Sequence, residues 1–220
     1  MQEVPIRYPG DRLKESDEPV VRWAQFSSSH AEEVEAHWID ACRAGDMVAF
    51  NRIVRKWQQR VFNMAFRMLQ DFGEAEDATQ EIFVAAFRGI DRFQHRSRFS
   101  TWLYRISMNK LLTRLERRPD GLLSLDVKAT RQQIAGSLRI SGDQEGRILE
   151  DERRHRILVA LSKLSAAQRP IIELKFFQDQ TFDEIASILD LPVSTVKSRF
   201  YAALNVLKEH LTVLEKEDGQ

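Results

Sequence analysis

Hydrophobic positions recur at spacings of three and four along most of this chain, and alternation of period two is confined to short runs. Met47, Phe50, Ile53, Val54, Trp57, Val61, Met64 and Met68 form one such stripe, and Asp46 is placed to cap the helix that carries it. Before it, Ser29 and Glu32 make a capping box for a first helix that ends near Gly45. After it, Phe72 and Gly73 interrupt the period, and Glu74 opens a third helix with Ile82, Phe83, Ala86, Phe87 and Ile90 facing inward. In the C-terminal third, one helix runs from Leu149 to Leu164 and another opens at the capping box Ser165 to Gln168. Thr181 and Glu184 form a further capping box, for a helix that turns Ile185, Ala186 and Leu189 inward and ends at Leu191 and Pro192. The last helix starts near Ser194 and buries Val196, Phe200, Ala203, Leu204, Leu207 and Leu211. This pattern predicts an all-α fold of two small helical domains joined by a flexible linker, the C-terminal one a helix-turn-helix domain.

Punctuation residues set the boundaries. Residues 1–28 are rich in Pro, Ser and charge, and are expected to be disordered around a small apolar island at Val20, Val21, Trp23 and Phe26. Residues 29–118 form the first domain. Pro119, Gly121, Gly136, Gly142 and Gly146 break any period through 119–148, a span long enough to separate two folded units. Within it, Leu122, Leu123, Leu125 and Val127 are more apolar than a passive tether requires. Residues 149–214 form the second domain, and residues 215–220 an acidic tail.

Composition removes several classes. The 33 Lys and Arg balance 33 Asp and Glu, so attraction to nucleic acid cannot come from net charge and must come from its segregation. The first 37 residues hold eight acids against four bases. A single cysteine rules out a disulfide within the chain and suits a reducing, cytoplasmic setting; Cys42, on an amphipathic helix, reads as a small buried hydrophobe rather than a redox centre. The five histidines lack metal-ligand spacing, no apolar run reaches the length of a membrane span, and the N-terminus has no secretory signal. Neither a cofactor, a metal nor membrane insertion is expected.

Three patches carry candidate chemistry. From Arg92 to Arg118 there are eight bases (Arg92, Arg96, Arg98, Arg105, Lys110, Arg114, Arg117 and Arg118) and one acid, Glu116. Phe93, Phe99, Trp102 and Tyr104 are interleaved with them. Cations that follow a phosphate backbone and flat faces on which bases stack suit unpaired nucleic acid, although core aromatics beneath a solvated basic face would give the same pattern. Asp77, Gln80, Glu81 and Val84 lie at i, i+3, i+4 and i+7, a polar strip around one aliphatic side chain; this is either a solvated face or a contact surface. Beyond Leu191, the start of the last helix presents Thr195, Lys197, Ser198, Arg199 and Ala202, at the end that helix-turn-helix motifs insert into the major groove.

Both halves resemble the extracytoplasmic-function (ECF) class of bacterial sigma factors. EAEDATQEIFVAAFRGI is similar to the family's core-polymerase-binding helix, FSTWLYRISMNKL to its promoter-melting helix, and LSAAQRPIIELKFFQDQTFDEIASILDLPVSTVKSRFYAALNVLK to its C-terminal helix-turn-helix domain. The resemblance covers about 38–118 and 149–211, with the motifs in the family's order. It departs in the leucine-rich NKLLTRLERR and in the long N-terminal extension. It implies a non-enzymatic factor that binds core RNA polymerase, recognises minus-thirty-five and minus-ten promoter elements, and stabilises the opened strand. Asp77, Gln80, Glu81 and Val84 would then meet the clamp helices of the polymerase. The loop from Gln94 to Phe99, beside Trp102, would capture a flipped base. Phe93, Arg96, Arg98, Phe99, Trp102, Arg105, Asn109, Lys110 and Arg114 become candidates for melted minus-ten DNA, with Arg117 and Arg118 on phosphates. Thr195, Lys197, Ser198 and Arg199 become candidates for duplex minus-thirty-five DNA. Leu122 to Val127 would enter the polymerase cleft, and an anti-sigma factor is the implied negative regulator. The alternative is a helix-turn-helix regulator that binds duplex DNA as a dimer, which leaves the melting-like segment without a role.

Overall fold

The computed structural model describes residues 33–117 and 156–217, with side chains placed through residue 210. The Ser29 capping box, the apolar island, the linker with its Leu122 to Val127 segment, Arg118 and residues 218–220 lie outside the described residues, and Leu211 lies beyond the placed side chains. Among the described residues every regular element is helical. The front half contains α1 (33–43), α2 (Met47–Leu69), α3 (Phe72–Gly89), a 3₁₀ turn (Ile90–Arg92) and α4 (Phe99–Glu116). The back half contains α5 (156–162), α6 (Arg169–Ile172, running on through a π turn, Glu173–Phe177), α7 (Phe182–Leu189) and α8 (Val193–Glu217).

Local chemistry accounts for the ends. The Asp46 carboxylate accepts from the N–H groups of Val48 (2.8 Å) and Ala49 (3.3 Å), starting α2 where the sequence places it. α2 stops at Gln70, which is left-handed (φ 53°), and α3 starts two residues before Glu74, capped by Asp71 through the Glu74 N–H at 2.7 Å. The Thr181–Glu184 box is complete: the Glu184 N–H donates to Thr181 Oγ1 at 3.2 Å and the Thr181 N–H to Glu184 Oε2 at 2.8 Å. Asp190, also left-handed, ends α7 one residue before the expected turn at Leu191 and Pro192.

The predicted stripe of α2 is core: Phe50, Ile53, Trp57, Val61, Met64 and Met68 are buried, and only Met47, at the helix start, is well exposed. On α3, Ile82, Phe83 and Ala86 are buried as expected, as is Ile90 at the start of the 3₁₀ turn. Phe87 is 39% exposed instead, its ring edge on Phe50 at a centroid distance of 5.0 Å, because it lies at the margin of the inward face. Ile185, Ala186, Ile188, Val196, Phe200 and Ala203 form the back-half core. The two halves are docked, and buried apolar side chains run continuously from one to the other. The end of α2 meets the π turn, and α4 lies along α7.

Candidate nucleic-acid and polymerase interfaces

The segment read as a stacking surface divides into a core and a rim. Phe93, Phe99 and Tyr104 are 3%, 5% and 2% exposed, so they offer no face to a base in this conformation. The reason is packing: Phe93, Phe99 and half-buried Trp102 form a three-ring cluster with centroids 5.3–5.8 Å apart, and Tyr104 meets Trp57 edge-on at 5.9 Å. Burial raises the Tyr104 phenol above its usual range, opposed by the Arg60 guanidinium beside it. Trp102 also sets the residue at 89, where a Cβ would stand 3.3 Å from its ring.

Over this cluster lies the loop Gln94–Arg98. Arg92 before it and Arg96 and Arg98 within it are exposed, as are Gln94 and Ser97. His95 holds the loop's shape. Its backbone is left-handed (φ 52°), its ring packs edge-on against Phe93 at 4.8 Å, and its Nε2 lies 3.2 Å from Asp40 Oδ1 of α1. Sequence reading missed this brace because neither residue belongs to a motif; only the pairing of a loop histidine with an acid across 55 residues reveals it.

Along α4 the bases do different things. Asn109, Lys110 and Arg117 are exposed. Arg105 donates to the Ser187 carbonyl and, at 2.9 Å, to Ser187 Oγ of α7. Arg114 pairs with Glu81 of α3 at 2.9 Å and reaches the Glu74 carbonyl at 3.5 Å, so it belongs to the α3–α4 groove rather than to an open phosphate row. That groove, about 670 Å³, is lined by Asp77, Gln80, Glu81, Val84, Lys110 and Arg114 among others. Val84, 49% exposed, stands in the strip as an unburied aliphatic contact.

In the helix-turn-helix, Lys197 and Ser198 are exposed and Thr195 and Arg199 half-buried at their flanks. The Ser198 hydroxyl donates to the Thr195 carbonyl at 3.0 Å, and the Lys197 ammonium stands 5.8 Å from the centre of the Phe182 ring. Tyr201, 59% exposed, extends this face one turn further; its spacing of three from Ser198 is the signal that could have found it.

The two halves of this arrangement each match a known module. Residues 53–119 match Sigma-70 region 2 and residues 154–207 match Sigma-70 region 4. The chain belongs to the ECF RNA polymerase sigma factors. It is 33% identical over 176 residues to the ECF RNA polymerase sigma factor SigW of Bacillus subtilis, a span covering 79% of this chain and 94% of that protein. It is 32% identical over 168 residues to the ECF RNA polymerase sigma-E factor of Escherichia coli, covering 75% and 87%. Among solved structures the fold is similar to CnrH in its complex with the cytosolic domain of CnrY, with a TM-score of 0.60 at 22% identity over 82% of this chain and 98% of that one. It is also similar to the sigma factor RpoE of Bartonella quintana, crystallised with the anti-sigma factor NepR, with a TM-score of 0.56 at 24% identity over 74% and 97%. The chain is accordingly a sigma factor that initiates transcription with core RNA polymerase at promoter DNA, and the dimeric-regulator alternative is not favoured. No helix among the described residues is long and apolar enough to cross a membrane.

Proposed function

We propose that this sigma factor contacts core polymerase through the α3 strip Asp77, Gln80, Glu81 and Val84, and holds melted minus-ten DNA on the loop Gln94–Arg98 and the exposed face of α4. Arg96 and Arg98 supply loop cations, while Asn109 and Lys110 extend the surface along α4. Phe93 and Phe99 serve from behind as a rigid floor, and the part-exposed edge of Trp102 is the one aromatic group in the cluster within reach of a base. Thr195, Lys197, Ser198 and Arg199, with Tyr201 beside them, face the duplex minus-thirty-five element. The two domains are assigned to 29–118 and 149–214. The protein acts in the cytoplasm without catalysis of its own, and its negative regulator is an anti-sigma factor, the kind of partner NepR is in its complex with the similar RpoE.

The observation that carries this reading is the exposed cationic loop braced over a closed aromatic cluster, directly after an acidic strip that remains outside the core. Run-off transcription with purified core polymerase is the test. Specific initiation that is lost in Arg96→Ala/Arg98→Ala, with core binding retained, supports it. Initiation unaffected by both changes removes the loop from the DNA surface.

A further inference from the structure

Phe176 and Tyr201 protrude from the back half with 55% and 59% of their surface exposed, among the most exposed large apolar side chains of the described residues. Both lie on buried Phe200 of α8. Phe176, in the π turn, stacks on that ring at a centroid distance of 5.7 Å, and Tyr201 meets it edge-on at 5.5 Å. Phe182, the first residue of α7, meets the same ring edge-on at 5.2 Å. Two ammonium groups stand near Phe182, Lys175 at 5.1 Å and Lys197 at 5.8 Å from its centre. The result is an aromatic platform with a cationic rim. Folding does not require this exposure. The neighbouring Phe177 is half-buried, with the Arg67 guanidinium, itself paired with Glu173, 4.1 Å from its ring centre. Phosphate contact does not require it either, because phosphates are met by cations and hydrogen-bonding groups. A protruding phenylalanine beside a tyrosine marks a protein contact instead.

The N-terminal extension carries a segment of matching chemistry. In SDEPVVRWAQF, from Ser16 to Phe26, the acids Asp17 and Glu18 precede Val20, Trp23 and Phe26, which recur at a spacing of three. Anions ahead of an aromatic row complement an aromatic platform with an ammonium rim. The path between them is short. Glu35 of α1 accepts from Trp57 Nε1 at 2.6 Å, Trp57 meets Tyr104 of α4 edge-on, and Arg105 beside it donates to Ser187 of α7. α1 therefore reaches α7 through three helix packings, roughly 30 Å at about 8–10 Å each. The ten residue steps from Trp23 to Glu33 extend to roughly 35 Å, which spans that distance.

We propose that the segment from Asp17 to Phe26 seats on the Phe176–Tyr201 platform, its aromatic side chains on the rings and its two acids beside Lys175 and Lys197. The tether makes a weak contact sufficient. A segment held on so short a chain stands at an effective concentration on the order of 1 mM, so an intrinsic affinity of about 0.1 mM gives about 90% occupancy. Seated there, the segment covers Lys197 and Tyr201 and competes with duplex DNA for α8, lowering the apparent affinity by about 10-fold. That consequence rests on the reading of α8 as the duplex-binding helix, whereas the seat itself does not.

The test places the photo-crosslinker p-benzoylphenylalanine at Phe26 of the full chain and maps the product by mass spectrometry. The crosslink should form within one molecule, to peptides that carry Phe176 or Tyr201. Phe176→Ser, at an exposed position, should lower the yield about twofold with helical circular dichroism unchanged, the fall from about 90% to about 50% occupancy for a contact weakened about tenfold. Trp23→Ser, outside both matched domains, should do the same while leaving the platform intact. In the chain without the crosslinker, Trp23→Ser/Phe26→Ser should tighten binding to a duplex promoter fragment, one from which the holoenzyme initiates, by about 10-fold. Crosslinks to another surface, a dimer-sized product, or a yield unmoved by both Phe176→Ser and Trp23→Ser would overturn the proposal. A mapped crosslink with unchanged duplex affinity would uphold the seat and refute instead the assignment of α8 to duplex DNA.

Discussion

Reversing the acidic strip of α3 separates a contact surface from a merely solvated face. In Asp77→Arg/Glu81→Arg, the fold loses the Glu81–Arg114 pair, whose side chains are 52% and 22% exposed. An ion pair that wet contributes about 0.2–1 kcal/mol, and the two facing guanidinium groups that replace it repel by a similar amount. The cost to the fold is therefore about 0.4–2 kcal/mol, a Tm decrease of roughly 2–16 °C for a domain of this size. At an interface the scale is larger. Close charge pairs couple by about 1.5–7 kcal/mol, so reversing two acids should remove at least about 3 kcal/mol of core affinity, more than 100-fold. Fluorescence anisotropy of the labelled chain titrated with core polymerase reads this directly, with a circular-dichroism melt in parallel. Glu81→Gln is the control: it breaks the Arg114 pair without introducing repulsion and should shift the melt little. A folded double variant that binds core within threefold of wild type would refute the assignment.

In the helix-turn-helix, Lys197→Ala/Arg199→Ala should reduce promoter-directed transcription by 10-fold or more, at about 1–3 kcal/mol per lost base contact, with core association unchanged in a pull-down. Loss of core association would show that this face has another role. Arg169→Met leaves the carbonyls of Leu161, Leu164 and Met68 without their buried donor, at 3.2, 3.0 and 3.0 Å in the native protein. It should destabilise by about 2–4 kcal/mol, read as a lower urea midpoint; an unchanged midpoint would contradict this stabilising role of Arg169. The Cys42 thiol is pushed above its ordinary value, first by burial and then by Asp46, so little thiolate exists at neutral pH. Alkylation should be slow in the native protein below the ordinary thiol range and rapid in urea, and fast native labelling at pH 7 would disprove the burial.

Periodicity was enough to place α2 and α7 because each carries its own start signal and a one-sided stripe. Asp46, Thr181–Glu184 and the run from Ile53 to Met68 are local features, and local features survive folding unchanged. The fate of the aromatics was not local. Phe93, Phe99 and Trp102 sit in a cationic stretch that would look the same whether the rings faced a base or one another, and only the packing of α4 on α2 and α3 closes them into a cluster. Arg67, Arg169 and Glu173 were illegible for a different reason. Each is a charged residue inside an apolar run, and its partner lies about a hundred residues away in the case of Arg67 with Glu173 and Arg169 with Met68. The π turn that brings Glu173 to Arg67 has no counterpart in the sequence pattern.

The inward turn of the aromatics changes how strand opening is held. Extruding a base costs a few kcal/mol of pairing and stacking, and an open row of rings would offset that by stacking on whichever base came free. Here buried Phe93 and Phe99 cannot do so, and what remains at the surface is the part-exposed edge of Trp102 and a short loop braced by His95, set on Phe93 and carrying Arg96 and Arg98. A fixed loop loses little entropy on binding, so its polar contacts count nearly in full toward one accepted base, and misplacement of the loop is costly. On the proposed role of this loop, the Asp40–His95 contact has a functional consequence. If the loop captures the flipped base as proposed, loosening it should impair promoter opening before promoter binding, because the proposed duplex contacts of α8 and the charge attraction of Arg96 and Arg98 would not depend on the loop's exact path, whereas capture of a single flipped base would.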